Sequence, residues 1–152
     1  MTLLREITWS ILPLVAALFV IVEALKSAGA SQVLQAAVQH AMHWPHLQSA
    51  FVVAGVVGMG TNLVNNLPLG LIAGSTLHNI ALPALLSQVV LIAVDLGPNL
   101  SITGSLATIL WLIAIRREGM HVSGWQFLKA GMLIMPISLV LAIGGALLFQ
   151  TH

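Results

Sequence analysis

Residues 95–105, Asp-Leu-Gly-Pro-Asn-Leu-Ser-Ile-Thr-Gly-Ser, set a carboxylate and a cluster of helix breakers inside an otherwise apolar segment. Few folds accept such a stretch. Non-helical backbone at membrane depth is tolerated only where protein or a water-filled cavity surrounds it. The membrane reading comes from composition: 59% of the residues are hydrophobic, 6% are charged and the mean hydropathy is +1.03, whereas a soluble domain carries about a quarter charged residues. The charges stand at the ends of apolar runs (Arg5 and Glu6, Glu23 and Lys26, Arg116 to Glu118, Lys129), and Asp95 alone lies inside one. A carboxylate near the bilayer centre costs about 2.5–3.5 kcal/mol on insertion scales, so it usually faces a cavity or partner and marks an ion or substrate path.

A formal net charge of +1 cannot build a basic nucleic-acid surface, so no nucleic acid is expected as a partner. The expected partners are the lipid bilayer and other membrane helices. The absence of cysteine excludes disulfides, iron–sulfur ligation and thiolate chemistry within this chain. The first apolar run is longer than a signal core and reads as a retained signal-anchor helix.

The chain reads as one all-α membrane domain over residues 1–152. Residues 9–25 form a transmembrane helix with its proline near the start. Residues 31–44 alternate apolar and glutamine or histidine positions in a helical period and read as an interfacial helix, too polar to span. Residues 50–78 read as a re-entrant hairpin: Asn62, Asn65, Asn66 and Pro68 arrive together where lipid offers no hydrogen bonds, and neither arm is long enough to cross alone. Residues 80–116 hold two short apolar runs around the 95–105 stretch and read as one discontinuous transmembrane helix. Residues 126–149 form the last span, with a bend placed at Pro136. On this topology Arg5, Arg116, Arg117 and Lys129 share one side and Lys26 the other. The positive-inside rule then makes the N-terminus cytoplasmic and leaves the C-terminus at His152 outside, in a cell inner membrane.

The hairpin tip and the unwound helix are expected to meet near the midplane, where half-helix ends build transporter sites. Asn62, Asn65 and Asn66 fall three and four residues apart and can share a helical face. Ser101, Thr103, Ser105 and Thr108 add hydroxyls that donate and accept, Asn99 adds an amide, and Gly97, Pro98 and Gly104 allow the break. Asp95 reads either as a proton or cation carrier or as a structural carboxylate within a bundle, and the asparagines read either as a substrate site or as bridges between helices. His40, His43 and His46 are spaced for a metal, but Pro45 interrupts them and a polar interfacial strip is the alternative. Gly74-Ser75 and Gly104-Ser105 lack a Gly-x-Ser-x-Gly elbow, so a serine hydrolase is not expected. No catalytic residue, cofactor or resident metal is predicted.

Residues 64–68, Val-Asn-Asn-Leu-Pro, and residues 95–112, beginning Asp-Leu-Gly-Pro-Asn and ending Trp-Leu, resemble the arsenite efflux permeases, the membrane pumps of arsenical resistance within the ion transporter superfamily. The resemblance implies two inverted repeats, of which this chain corresponds to the C-terminal one. It also implies export of arsenite or antimonite in exchange for protons, and a site lined by Asn65, Asn66 and residues 95–105. A missing N-terminal repeat and an ATPase subunit follow as candidate partners. A sodium-coupled dicarboxylate or citrate carrier shares the architecture, and a non-transporting membrane subunit or truncated remnant is the reading of another class.

Overall fold

The computed structural model describes residues 11–78 and 80–149, and among them every regular element is helical. Arg5 and His152, which enter the expected terminal orientation, and the first two residues of the expected 9–25 span lie outside the described residues. Helix α1 spans Ile11–Ser27 and carries Pro13 in its first turn, where the missing amide has no intrahelical partner to lose. Gly29, at φ +89, lets the chain turn into α2, Ala30–Ala41, which meets α1 at 66°. Helix α2 buries Leu34, Val38 and Ala41 and exposes Gln32, Gln39 and His40, the amphipathic pattern its sequence predicts.

Helix α3 spans His46–Val64, starting after Pro45, and α4 spans Asn66–Leu77. The first arm therefore begins before residue 50, where the hairpin is expected to start: the turn His46–Ser49 is helical, and the 19-residue helix is long and apolar enough to cross a membrane by itself. Between the two arms only Asn65 leaves helical form. Leu69 Cδ2 lies 3.0 Å from the place a Gly60 Cβ would occupy, whereas nine residues along an unbroken helix span about 13.5 Å, so the chain turns sharply there.

Helix α5, Ala84–Leu96, and helix α6, Leu106–Arg117, are separated by two short 3₁₀ turns, Gly97–Leu100 and Ile102–Gly104. Helix α7, Gly124–Phe149, runs unbroken through Pro136. It opens on a reciprocal cap in which Ser123 N–H donates to Gln126 Oε1 (2.9 Å) and Gln126 N–H to Ser123 Oγ (3.2 Å).

The core lies where α3, α5 and α7 meet. Ala50, Ala54 and Gly58 make a ridge of small residues at four-residue spacing on α3, each buried, against Val89, Val90 and Ala93 of α5. Small side chains on facing ridges bring two backbones close without the hydrophobic drive that water supplies. Outward, α7 exposes Met132, Leu133, Ile134, Ile137, Val140 and Leu141, a surface suited to lipid.

Candidate functional site

One turn beyond Gly58, the small-residue ridge of α3 delivers Asn62 to the unwound segment. Its Nδ2 donates to Gly58 O and to Gly97 O, both at 2.8 Å. Its Oδ1 accepts from Ser101 N–H at 3.0 Å and from Ser101 Oγ–H at 2.7 Å. A carboxamide has two donors and two lone pairs, so this side chain is fully used. The pattern also fixes which atom is oxygen, because a reversed amide would point donors at the Ser101 amide and an oxygen at two carbonyls.

A second strut lies three residues on. Asn65 sits at φ +74 and ψ 151, a region rarely adopted by side chains other than glycine's hydrogen, and it is held there by two bonds. Its Nδ2 donates to Thr103 O (3.0 Å), and its Oδ1 caps α4 by accepting from Leu67 N–H (3.3 Å). Thr103 Oγ1 in turn reaches Asn62 O at 3.1 Å, filling a carbonyl in the last turn of α3 that has no helical donor. Thr103 Oγ1 also lies 3.1 Å from Ser101 Oγ. Two hydroxyl protons serve three oxygen contacts here, so acceptor capacity is left for an incoming O–H.

The two breaks are thus joined. At their meeting point α3 and α5 end while α4 and α6 begin, and α6 starts on its own cap, Ala107 N–H donating to Ser105 Oγ at 3.2 Å. Pro68 is fully buried in the first turn of α4, and Gly104 packs on Pro98, where a Cβ would lie 2.4 Å from Pro98 O. Gly97 serves in a way its sequence context does not suggest. Its backbone is helical (φ −53, ψ −44), and what it contributes is close approach to Gly58.

The remaining candidates stand apart. Asn66 is half-buried and its amide has no hydrogen-bond partner among the described residues. Asn99 is exposed and donates only to Leu96 O, at 3.1 Å within its own turn. Asp95 is exposed in the last turn of α5, without hydrogen bond or ion pair among the described residues. Asn99 and Thr108 line an open cavity of about 360 Å³ with Ala107, Trp111 and Phe127. The histidines are occupied elsewhere: His40 packs edge-on against Trp44 at 5.4 Å, and His43 Nδ1 lies 3.0 Å from Gln39 O. Ser75 Oγ donates to Ile72 O at 3.1 Å.

Thr61 and Gly131 escaped the sequence reading. Thr61 is fully buried and returns its hydroxyl to Gly58 O at 2.6 Å; the spacing of Ala50, Ala54 and Gly58 is the signal that marks this face of α3. Asn65 provides a local test. Asn65→Gly relieves the backbone but loses both bonds, whereas Asn65→Ala loses the bonds and keeps the strain, so alanine should be the less stable by about 1 kcal/mol. Thermal unfolding of the two variants in detergent checks the order.

Compared with known proteins, residues 1–149 match the family described as arsenical pump membrane protein. The chain is 27% identical to an arsenical pump membrane protein of Yersinia enterocolitica over 143 residues, covering 90% of this chain and 33% of that protein. It is also 27% identical to one from Escherichia coli (strain K12) over 147 residues, with the same coverage. An uncharacterized transporter of Mycobacterium tuberculosis (strain ATCC 25618 / H37Rv) is 26% identical over 148 residues, 91% of this chain and 34% of that protein. The chain spans about a third of the length of these relatives. No solved structure matches.

Proposed function

The chain belongs to the arsenical pump membrane protein family, a family of multi-pass membrane transporters, and from that premise we propose that it forms part of a carrier exporting arsenite or antimonite in exchange for protons. The joined breaks are its contribution to the substrate site, near the middle of an inner membrane. A further segment, corresponding to the N-terminal repeat, completes the site, and an ATPase subunit is a candidate partner. The N-terminus is cytoplasmic and the hairpin of α3 and α4 re-entrant.

The observation that supports this reading is the bonding of Asn62 and Asn65, at the end of α3, to the unwound segment, while unfilled polar capacity remains at the edge of the two breaks. Arsenite at neutral pH is mostly an uncharged trihydroxide. Its O–H groups can donate to the spare lone pairs of Ser101 and Thr103, and its oxygens can accept from the Asn66 amide. Asn99 and Ser105 flank the same segment. With no cysteine in the chain, arsenic meets no thiolate here that would hold it, which suits transit.

Asp95 is assigned the coupling role. It lies one helical turn before Asn99 on the exposed side of α5, without hydrogen bond or ion pair among the described residues. Uptake of arsenite into everted membrane vesicles, with this chain co-expressed beside a candidate for the complementary segment, is the test. Asp95→Asn should abolish accumulation driven by an imposed pH gradient while leaving downhill exchange intact. Gradient-driven uptake unchanged in Asp95→Asn removes that residue from coupling, and no uptake by any assembled form favours a non-transporting subunit.

A further inference from the structure

We propose that Gly131 of α7 is the positioning residue that sets the unwound segment of the substrate site, an inference that rests on the reading of that segment given above. The buried face of α7 is Gly131, Met135, Leu139 and Ile143, one residue per turn. Three of these fill the ridge with side chains, and Met135 Cε reaches to 3.6 Å from where a Gly58 Cβ would be. At Gly131 the ridge is empty. There the backbone of residues 99–100 occupies the space: a Cβ would lie 2.5 Å from Asn99 O, 2.6 Å from Leu100 O and 2.9 Å from Leu100 Cα.

All three neighbours are main-chain atoms, which cannot swing aside as a side-chain tip can. Carbon–oxygen contacts are ordinarily about 3.3–3.6 Å, so an added methyl must drive α7 and the segment apart by roughly 1 Å. The next residue is Ser101, whose N–H and Oγ–H both bond Asn62 Oδ1. A displaced Leu100 carbonyl therefore shifts the peptide that carries the serine, and with it the hydroxyls proposed to meet substrate. Gly131 touches no substrate. It acts through the main chain of Asn99 and Leu100.

The same helix supplies its own controls. Among the described residues nothing lies within 4 Å of a Cβ at Gly144 or Gly145, the controls, whereas one at Gly124 would meet Ile102 Cδ1 at 3.5 Å. Helix propensity alone favours alanine over glycine at every one of these positions. A selective effect at Gly131 must then come from the contact.

The chain has no cysteine, so a single Thr103→Cys in the membrane-inserted protein reports on the segment through its rate of maleimide labelling, independently of transport. Gly131→Ala is expected to change that rate several-fold, and in vesicles of the assembled carrier to raise the KM for arsenite about tenfold with a smaller change in Vmax. Gly144→Ala should leave both unchanged. Equal labelling in the two variants overturns the proposal. A labelling change without arsenite uptake by the parent protein keeps the positioning role and rejects the substrate reading; uptake with unaltered labelling does the reverse. If Gly131→Ala is lost from the membrane, Gly124→Leu decides, because it presses on the same segment only through the end of Ile102: altered labelling supports the proposal, and unaltered labelling sinks it.

Discussion

Gly97→Ala is expected to destabilise the protein by about 3 kcal/mol, at the upper end of overpacking effects. The new Cβ would lie 2.4 Å from Gly58 Cα, 2.8 Å from Gly58 O and 2.9 Å from Thr61 Oγ1. Two of those atoms are helix backbone, and the third is a hydroxyl already tied to Gly58 O at 2.6 Å. Helices α3 and α5 must separate, and the separation pulls Asn62 from Gly97 O. The converse substitution is the control. A Cβ on Gly58 would meet Gly97 Cα at 3.5 Å and Met135 Cε at 3.6 Å, ordinary contacts, so Gly58→Ala should be neutral or slightly stabilising through helix propensity. Unfolding followed by fluorescence-detected gel filtration should show Gly97→Ala melting roughly 6–12 °C lower and Gly58→Ala little changed. Equal melting of both variants would mean that the two backbones do not touch.

Asn62→Ala is the second large effect, and it acts on the site more than on the span. The truncation leaves Gly97 O, Ser101 N–H and Ser101 Oγ–H without the partner they share. Each buried group so orphaned costs about 1–3 kcal/mol, less where water can reach it. The helices on either side keep their packing, so insertion and expression should persist while arsenite uptake by the proposed carrier falls to background. Asn62→Asp should do no better, since it retains an acceptor for Ser101 but points a carboxylate at two carbonyl oxygens. Coupling can be read in thermal stability: adding Ser101→Ala to Asn62→Ala should cost little more, because the Ser101 Oγ–H bond is already lost with Asn62. Additive losses would show that Ser101 acts outside this network.

The described residues have the all-helical class expected from the sequence, and the reasons are local. Proline, asparagine and glycine at Pro45, Asn65, Pro83, residues 97–98 and Gly119 interrupt apolar runs whose lengths suit helices, and the 3.6 period of α2 shows directly which face it buries. Boundaries moved where polar residues continued a helix. The turn at His46–Ser49 lengthens α3 to 19 residues and makes it a candidate span where an arm too short to cross was expected. Periodicity could not foresee this, because histidine and glutamine are acceptable in a first turn whether the helix crosses or turns back.

The sequence by itself determined where the backbone must leave helical form and that amides and hydroxyls gather there, because asparagine, glycine, proline and serine disfavour a continuous apolar helix wherever they occur. Which of those groups meet was decided only by the tertiary structure. Spacing puts Asn62, Asn65 and Asn66 on one face only while the helix continues. The positive φ of Asn65 ends it, so Asn62 and Asn65 reach across to residues 97–103 and the Asn66 side chain enters the next helix without a hydrogen-bond partner among the described residues. In the same way Asp95 falls on the outer side of α5, and Gly58, Gly97 and Gly131 matter through backbones that come near each other from distant parts of the chain. A contact between residues tens of positions apart depends on how helices cross, and no local preference encodes that crossing.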